Sequence, residues 1–173
     1  MPLNKYAPQV ATHRRTQSAI LEATKALIAT NGLKKMSMIE IADASEVSRA
    51  TLYNHYRDKE SVIFALCESE LARLVEIAQN APDTTSALEQ ISLQVSSDPA
   101  LAAMRIQDPD QLALALGKHD DHLWKAFAIA LAHLLGEGKS ALALRWLLGQ
   151  ALHPINAQQS RAQAEAITGI ANL

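Results

Sequence analysis

The sequence predicts an all-α protein, and three observations support that fold class. Alanine and leucine, which are both strong helix formers, are abundant along the 173 residues. Apolar residues recur at spacings of three and four, whereas no segment alternates apolar and polar residues as a half-buried strand does. Serine or aspartate stands directly before several of these segments, where its oxygen can accept a hydrogen bond from the free N–H groups of a helix start.

The N-terminal third predicts an arm followed by four helices. Residues 1–11 lack periodicity and are expected to form a loose arm. A first helix is expected over about 12–30, ended by Gly32, and two short helices over about 38–44 and 48–55. A long fourth helix then runs to about residue 79 and links this region to the rest of the chain.

Three residues are expected to cap these helices. Ser37 is followed three residues later by Glu40, which is the spacing of a capping box. Ser48 precedes the second short helix, and Asp58 precedes the long one. The second short helix has a single large apolar residue, Leu52, so its polar faces must lie in solvent or against a partner.

Two short helices joined by a tight turn, the second of them polar, indicate a helix-turn-helix, and double-stranded DNA is the expected partner. Arg49 can make a bidentate contact with guanine, and Thr51 can offer a hydroxyl to phosphate and a methyl group to thymine. Ala50 has no bulk to keep the backbone from the base edges. The candidate DNA contacts are Ser37, Ser48, Arg49, Ala50, Thr51, Tyr53, Asn54, His55 and Lys59.

Roughly residues 14–65 resemble the TetR-type transcriptional regulators. The resemblance rests on several elements at fixed spacing, namely Ile41-Ala42, Val47-Ser48, Thr51-Leu52-Tyr53, Tyr56 and Lys59-Glu60. It implies that Tyr53, His55 and Lys59 anchor the DNA backbone, and that the residues from Arg49 to Thr51 read bases. Tyr56 is expected to pack inside the domain instead.

One residue departs from the pattern of that family. Glu46 occupies the turn position where the family usually has glycine. A non-glycine residue in the left-handed conformation costs about 1–2 kcal/mol. We therefore expect a turn that is either strained or reshaped.

Charge is divided unevenly along the chain. The chain has a net charge of −2, which is the sum of +3 for residues 1–60 and −5 for the remaining residues. A basic region attached to an acidic one directs the basic region toward phosphate. We accordingly expect two domains, a head of residues 1–58 and a body of residues 59–173, with helix 59–79 joining them.

The body is expected to be helical and to form a homodimer. Its helices are predicted at about 86–96, 99–107, 109–117, 121–135, 139–152 and 156–171, with residues 136–138 linking the two longest. Those two helices are apolar on more than one face, which indicates burial against both a core and a second copy. The resemblance implies the same, although a central core pair without a dimer is the alternative. The candidate interface residues are Leu131, Leu135, Leu144, Leu147, Leu148 and Ala151.

The resemblance also implies a small-molecule effector that binds in the body. The candidate pocket residues, all equally explained as core, are Phe64, Met104, Trp124, Phe127 and Trp146. Few aromatic residues occur in the body, which favours either an aliphatic ligand over a flat aromatic one or, in so short a body, a pocket too small to matter. His119 and His122, with Asp120 and Asp121 between them, could form a metal site, but the aspartates are more simply explained as capping a helix start. Neither a metal nor a cofactor is expected.

Other classes of protein lack support in the sequence. No phosphate-binding loop or nucleophile motif is present, so an enzyme is not expected. The longest apolar run, 126–135, is shorter than the roughly 18–20 residues of a membrane span, and the first residues do not resemble a signal peptide. A cytoplasmic protein is expected. The single cysteine, Cys67, lies on an apolar stripe and is expected to pack in the interior.

The sequence therefore predicts a ligand-responsive, DNA-binding transcriptional regulator, as a repressor that binds a palindromic operator as a homodimer. Two alternatives remain open at this point. The body could respond to a protein partner rather than to a small molecule. The chain could also be a helical small-molecule-binding protein whose head no longer binds DNA, for which Glu46 is the best support.

Overall fold

A computed structural model describes residues 7–117 and 122–169, with side chains from residue 11 onward. Within these ranges the chain forms ten helices and no strand, so the all-α prediction is confirmed. The helices are α1 (Ala7–Asn31), α2 (Met38–Ala44), α3 (Arg49–His55), α4 (Lys59–Asn80), α5 (Thr84–Ser96), α6 (Pro99–Gln107), α7 (Pro109–Gly117), α8 (His122–Leu135), α9 (Glu137–Leu152) and α10 (Ala157–Gly169).

Among the helix boundaries that differ from the prediction, the starts of α1 and α9 change how the segments before them are described. Helix α1 begins at Ala7, so the second half of the expected arm is helical. Pro8 is tolerated there because a proline in the first turn lacks only an N–H that has no partner in the helix. Helix α9 begins at Glu137, so the link from α8 is Gly136 alone, whose φ of +83° reverses the chain within one residue.

The first core lies where α1 to α4 meet. Ile20, Ile41, Leu52 and Val62 are completely buried in it, and Tyr56 is buried beside them, as expected. Ala100 of α6 belongs to the same cluster. The head therefore shares its core with a helix of the body, although the two regions are separate in sequence.

The body has two further apolar clusters. One joins Leu74 of α4 and Ile91 of α5 to Phe127 of α8 and Leu147 of α9. The other joins α5, α9 and α10 through Leu88, Ala143, Ala164 and Ile167. Helix α4 contributes to both the first core and the α8 cluster, so it is the structural link between head and body. None of the described helices could cross a bilayer, since each is too short or too polar.

The expected burial of Cys67 is wrong, because this residue is exposed. The buried residues of α4 are Val62, Leu66 and Leu74, so the predicted apolar stripe is buried at Leu74 but not at Cys67. The difference arises because the first half of α4 packs against the head, which lies on a different side of the helix from the cluster of α8.

Candidate DNA-binding surface and ligand cleft

The turn between α2 and α3 is closed by backbone hydrogen bonds. The N–H of Val47 donates to the carbonyl of Ala42 at 3.1 Å, and the N–H of Glu46 donates to the carbonyl of Asp43 at 3.3 Å. This pair of bonds is a Schellman motif, which requires a left-handed residue at the position of Glu46. Glu46 has a φ of 55° and is the non-glycine residue with positive φ in the described part of the chain. The turn is therefore strained, and its hydrogen bonds are retained.

Helix α3 has a fixed start and a single anchor. Ser48 Oγ accepts a hydrogen bond from the backbone N–H of Thr51 at 3.0 Å and lies 2.8 Å from the Thr51 hydroxyl, as a capping residue does. Leu52 is completely buried and holds the helix on α1, α2 and α4. The Ser48 cap fixes where α3 begins, and Leu52 fixes which side of α3 faces the core. The opposite side of α3 is therefore held toward solvent.

The predicted base-reading face is open to solvent. Arg49, Ala50 and Asn54 are exposed, and Tyr53 exposes 54% of its surface. Thr51 is half-buried because its hydroxyl lies against the capping serine. An arginine, a tyrosine and an amide on one short exposed helix can contact base edges and phosphates together.

Ser37 begins α2 through the expected capping box. Its Oγ accepts the backbone N–H of Glu40 at 3.3 Å, while its own N–H and hydroxyl each donate to Glu40 Oε2 at 2.8 Å. The hydrogen bond from the Ser37 hydroxyl, followed by the one from its backbone, lowers the pKa of the Glu40 carboxyl. Ser37 therefore lies at the exposed start of α2, where backbone N–H groups favour an anion such as phosphate.

Lys59 is engaged by the protein itself. Its Nζ donates to the carbonyls of Leu33, Lys34 and Met36 at 3.2, 3.4 and 3.0 Å. An ammonium group has three N–H donors, so each can be matched to one carbonyl of the segment between α1 and α2. Its contact with phosphate stays a prediction, and any such contact would share these donors.

Sequence reasoning missed one residue at this surface, His13. Its ring stacks on that of His55, with centroids 4.1 Å apart and planes at 18°. Burial, followed by the charge of His13, lowers the pKa of His55. No sequence signal could have found the pair, because it depends on how α1 crosses α3.

The five predicted pocket residues lie in different parts of the structure, although Trp124, Phe127 and Trp146 belong to one apolar cluster. Phe64 lies beside His122, with ring centroids 5.1 Å apart. Met104 packs on the head core. The Nε1 group of Trp124 donates to the carbonyl of Ala115, and that of Trp146 donates to the side chain of Gln163. Of these five residues, Phe127 lines a cleft formed by the described residues.

That cleft has a volume of about 350 Å³ and lies among α4, α5 and α8. Its lining residues are Val75, Ala78, Gln79, Ile91, Phe127, Ala130, Leu131, His133 and Leu134. The walls are aliphatic apart from one phenyl ring, and the polar side chains Gln79 and His133 are both exposed. Such a site can hold an apolar chain and leave one polar end at the mouth.

The predicted dimer residues fall into two groups. Leu131, Leu147 and Ala151 are buried within the single chain, so they offer little surface to a partner. The other three, Leu135, Leu144 and Leu148, are half-buried. The exposed apolar side chains of the same two helices are instead Ile129, Leu142 and Leu152, which expose 59%, 40% and 43% of their surface.

The less favoured metal reading cannot be placed in the structure. His119, Asp120 and Asp121 lie outside the described residues, and His122 is the first residue of α8. Across residues 7–117 and 122–169, no three His, Cys, Asp or Glu side chains converge as metal ligands do.

Comparison with known proteins identifies the region that contains α2 and α3. The family model of bacterial regulatory proteins of the tetR family matches residues 20–66, which run from the middle of α1 into α4. The chain therefore contains the N-terminal, DNA-binding region of the TetR-type transcriptional regulators. Its helix-turn-helix is accordingly a DNA-binding element, and the chain has the helical fold of other TetR-type regulators.

Three relatives extend the comparison to the body. A fatty acid metabolism regulator protein of Bacillus subtilis is 24% identical over 127 residues, which cover 69% of this chain and 66% of that protein. The match thus spans slightly less than two thirds of that relative. The TetR family repressor AlkX of Dietzia sp., implicated in biodegradation of n-alkanes, superposes with a TM-score of 0.66 at 17% identity, covering 88% of this chain and 93% of the other.

The third relative is the fatty acid degradation regulator FadR of Bacillus halodurans. It superposes with a TM-score of 0.52 at 23% identity, covering 89% of this chain and 83% of that one. At these identities the structural similarities show that the TetR-type fold extends over most of the chain.

Proposed function

We propose that this TetR-type regulator is a cytoplasmic repressor that binds a palindromic operator as a homodimer and is released by an aliphatic small molecule. The observation that carries the proposal is the exposed polar face of α3, held by its Ser48 cap and its Leu52 anchor. The retained hydrogen bonds of the turn at Glu46 argue against a head that has lost DNA binding.

The homodimer is proposed to form through α8 and α9. Ile129, Leu142 and Leu152 are exposed apolar side chains on these helices, and burying them would contribute favourably to association. The half-buried Leu135, Leu144 and Leu148 each leave part of their surface for a partner to cover. A two-fold dimer would place two copies of α3 in successive major grooves, about 34–36 Å apart.

The effector is proposed to occupy the cleft among α4, α5 and α8. Its volume of about 350 Å³ lies at the lower end of the usual range for small-molecule sites, about 300–1,000 Å³. The cleft is lined by aliphatic side chains, which suits an alkyl chain, and His133 at the mouth suits a carboxylate or hydroxyl end. The names of the relatives point to the same chemistry, since two concern fatty acids and one concerns n-alkanes.

The DNA-binding part is tested by fluorescence anisotropy. The purified chain selects a sequence from a random DNA pool, and its affinity for that sequence is measured across a salt series. Arg49→Ala is expected to lose about 1–3 kcal/mol of discrimination between the selected and a scrambled site. Arg161→Ala removes the same charge from α10 and is the matched control. Equal discrimination in both variants would contradict the role of α3.

The effector part is tested by adding decanoate or decanol to the complex of the protein with its operator. Either compound is expected to weaken operator binding, because an effector shifts the protein only through its differential affinity for the two states. Ala78→Phe narrows the cleft and should abolish the response, whereas Ala72→Phe, at an exposed position of the same helix, should keep it. A response that survives Ala78→Phe would place the effector elsewhere.

A further inference from the structure

A buried carboxylate of the body holds the backbone of the head. Asp108 lies between α6 and α7 and exposes only 2% of its surface. Its Oδ2 accepts the backbone N–H of Leu33 at 2.6 Å and approaches that of Lys34 at 3.4 Å. Both donors belong to residues 32–36, the segment between α1 and α2, which we call the neck. Charge-assisted hydrogen bonds of this kind are among the stronger ones in proteins.

The approach of the two segments is so close that it requires a glycine. Gly32 has a φ of +79°, which a side chain would strain. A Cβ atom at this position would also lie 2.7 Å from Asp108 Oδ2 and 2.9 Å from Gln107 Oε1. Two independent constraints, backbone conformation and space, therefore act at the residue that begins the neck.

The neck is held from its other side as well. Lys59, at the start of α4, donates to the carbonyls of Leu33, Lys34 and Met36. The N–H groups of the neck thus point to a carboxylate of the body, and its carbonyls point to an ammonium group of the linking helix. The neck leads directly into Ser37, the capping residue of α2, so the neck connects α1 to the helix-turn-helix.

We propose that Asp108 is a positioning residue for DNA binding, which fixes the orientation of α2 and α3 relative to the body through the neck. The inference rests on the proposed function, because its consequence is read in operator affinity. Asp108 itself is buried between two body helices and is not one of the residues expected to contact DNA. A nearby ion pair, Lys34 with Asp110 at 2.8 Å, involves half-exposed groups and makes a lesser contribution.

The structure offers a matched pair of substitutions for the test. Asp108→Asn and Asp110→Asn each remove one negative charge, two residues apart, and Asp110 forms an exposed ion pair with the same neck. Asp108→Asn is expected to weaken specific operator binding by at least about fivefold, the lower range of coupling between sites. Non-specific binding and the log-salt slope should stay unchanged, because no phosphate contact is removed. Asp110→Asn should stay within about twofold of the unsubstituted protein.

Amide hydrogen exchange of the DNA-free protein gives a second readout. The amides of Leu33 and Lys34 should exchange faster in Asp108→Asn, while those of Leu147 and its neighbours in the α9 core should not change. Gly32→Ala should have the same effect, because its Cβ displaces the carboxylate. If Asp108→Asn and Asp110→Asn behave alike in both assays, the inference is wrong.

The same experiment separates the other outcomes. If operator affinity in Asp108→Asn falls only together with faster exchange in the α9 core, Asp108 stabilises the whole fold and is not a positioning residue. If the unsubstituted protein selects no DNA sequence, the proposed function fails instead, and exchange at Leu33 and Lys34 still decides whether Asp108 holds the neck.

Discussion

Replacing Glu46 by glycine should stabilise the protein. Glu46 has a φ of 55° and closes a Schellman motif without the glycine that this position favours. Relief of the strained left-handed conformation should raise the free energy of unfolding by about 1–2 kcal/mol. The greater conformational freedom of glycine in the unfolded chain should lower it by about 0.4–1 kcal/mol. The net gain is therefore about 0.5–1 kcal/mol, which corresponds to a rise of about 1–4 °C in Tm for a chain of this size.

The measurement is urea unfolding followed by circular dichroism at one fixed protein concentration. Glu46→Gln removes the charge and keeps the strain, so it isolates any electrostatic effect of this exposed residue. Glu46→Ala also keeps the strain and should not stabilise. Glu46→Asn should fall between Gln and Gly, because asparagine tolerates the left-handed region. If the glycine variant is no more stable than the glutamine variant, the argument from strain is refuted.

Three further predictions concern pH, capping and assembly. Because folding lowers the pKa of His55, neutral His55 contributes to the free energy of unfolding above a pH of about 6.5, and this contribution is lost as the pH falls toward the lowered value. A phosphate contact would favour protonated His55, so operator affinity should rise as the pH falls. In a proton NMR titration, His13→Gln should raise the pKa of His55 relative to that in the unsubstituted protein. Ser48→Ala should lower the free energy of unfolding, measured in urea, by about 1 kcal/mol, and Ser48→Gly should lower it by about a few tenths of a kcal/mol, because glycine is tolerated as a cap. Equal losses in the two variants would contradict the capping role. Leu142→Glu should convert the proposed dimer to a monomer in analytical ultracentrifugation, whereas Leu114→Glu, at an exposed leucine of α7, should not. A dimer that survives both substitutions would place the interface elsewhere.

The local structure of the head could be predicted because its signals are short-range. The capping serine at Ser37, its partner Glu40 and the cap at Ser48 fix helix starts through residues three positions apart. The unusual conformation at Glu46 followed from the position of one residue in one turn. Such features depend on neighbouring residues, which a sequence displays directly.

The arrangement of the body could not be predicted to the same depth. Periodicity identifies the apolar faces of α8 and α9 but does not say which residue faces the chain's own core, and Leu131 and Leu147 proved to be buried there. The cleft depends on the relative positions of three helices, so only Phe127 among the expected pocket residues lines it. The contact of Asp108 with Leu33 joins residues 75 positions apart, and no local pattern marks it.

The exposed position of Cys67 makes the molecule convenient for distance spectroscopy. It is the single cysteine of the chain and lies on α4, the helix that joins the head core to the body cluster. A thiol-reactive spin label would therefore attach at one defined place without the removal of other cysteines. In the proposed dimer, pulsed electron paramagnetic resonance would then report one label-to-label distance. Recorded with operator and with decanoate, that distance would measure how far the two linking helices move apart.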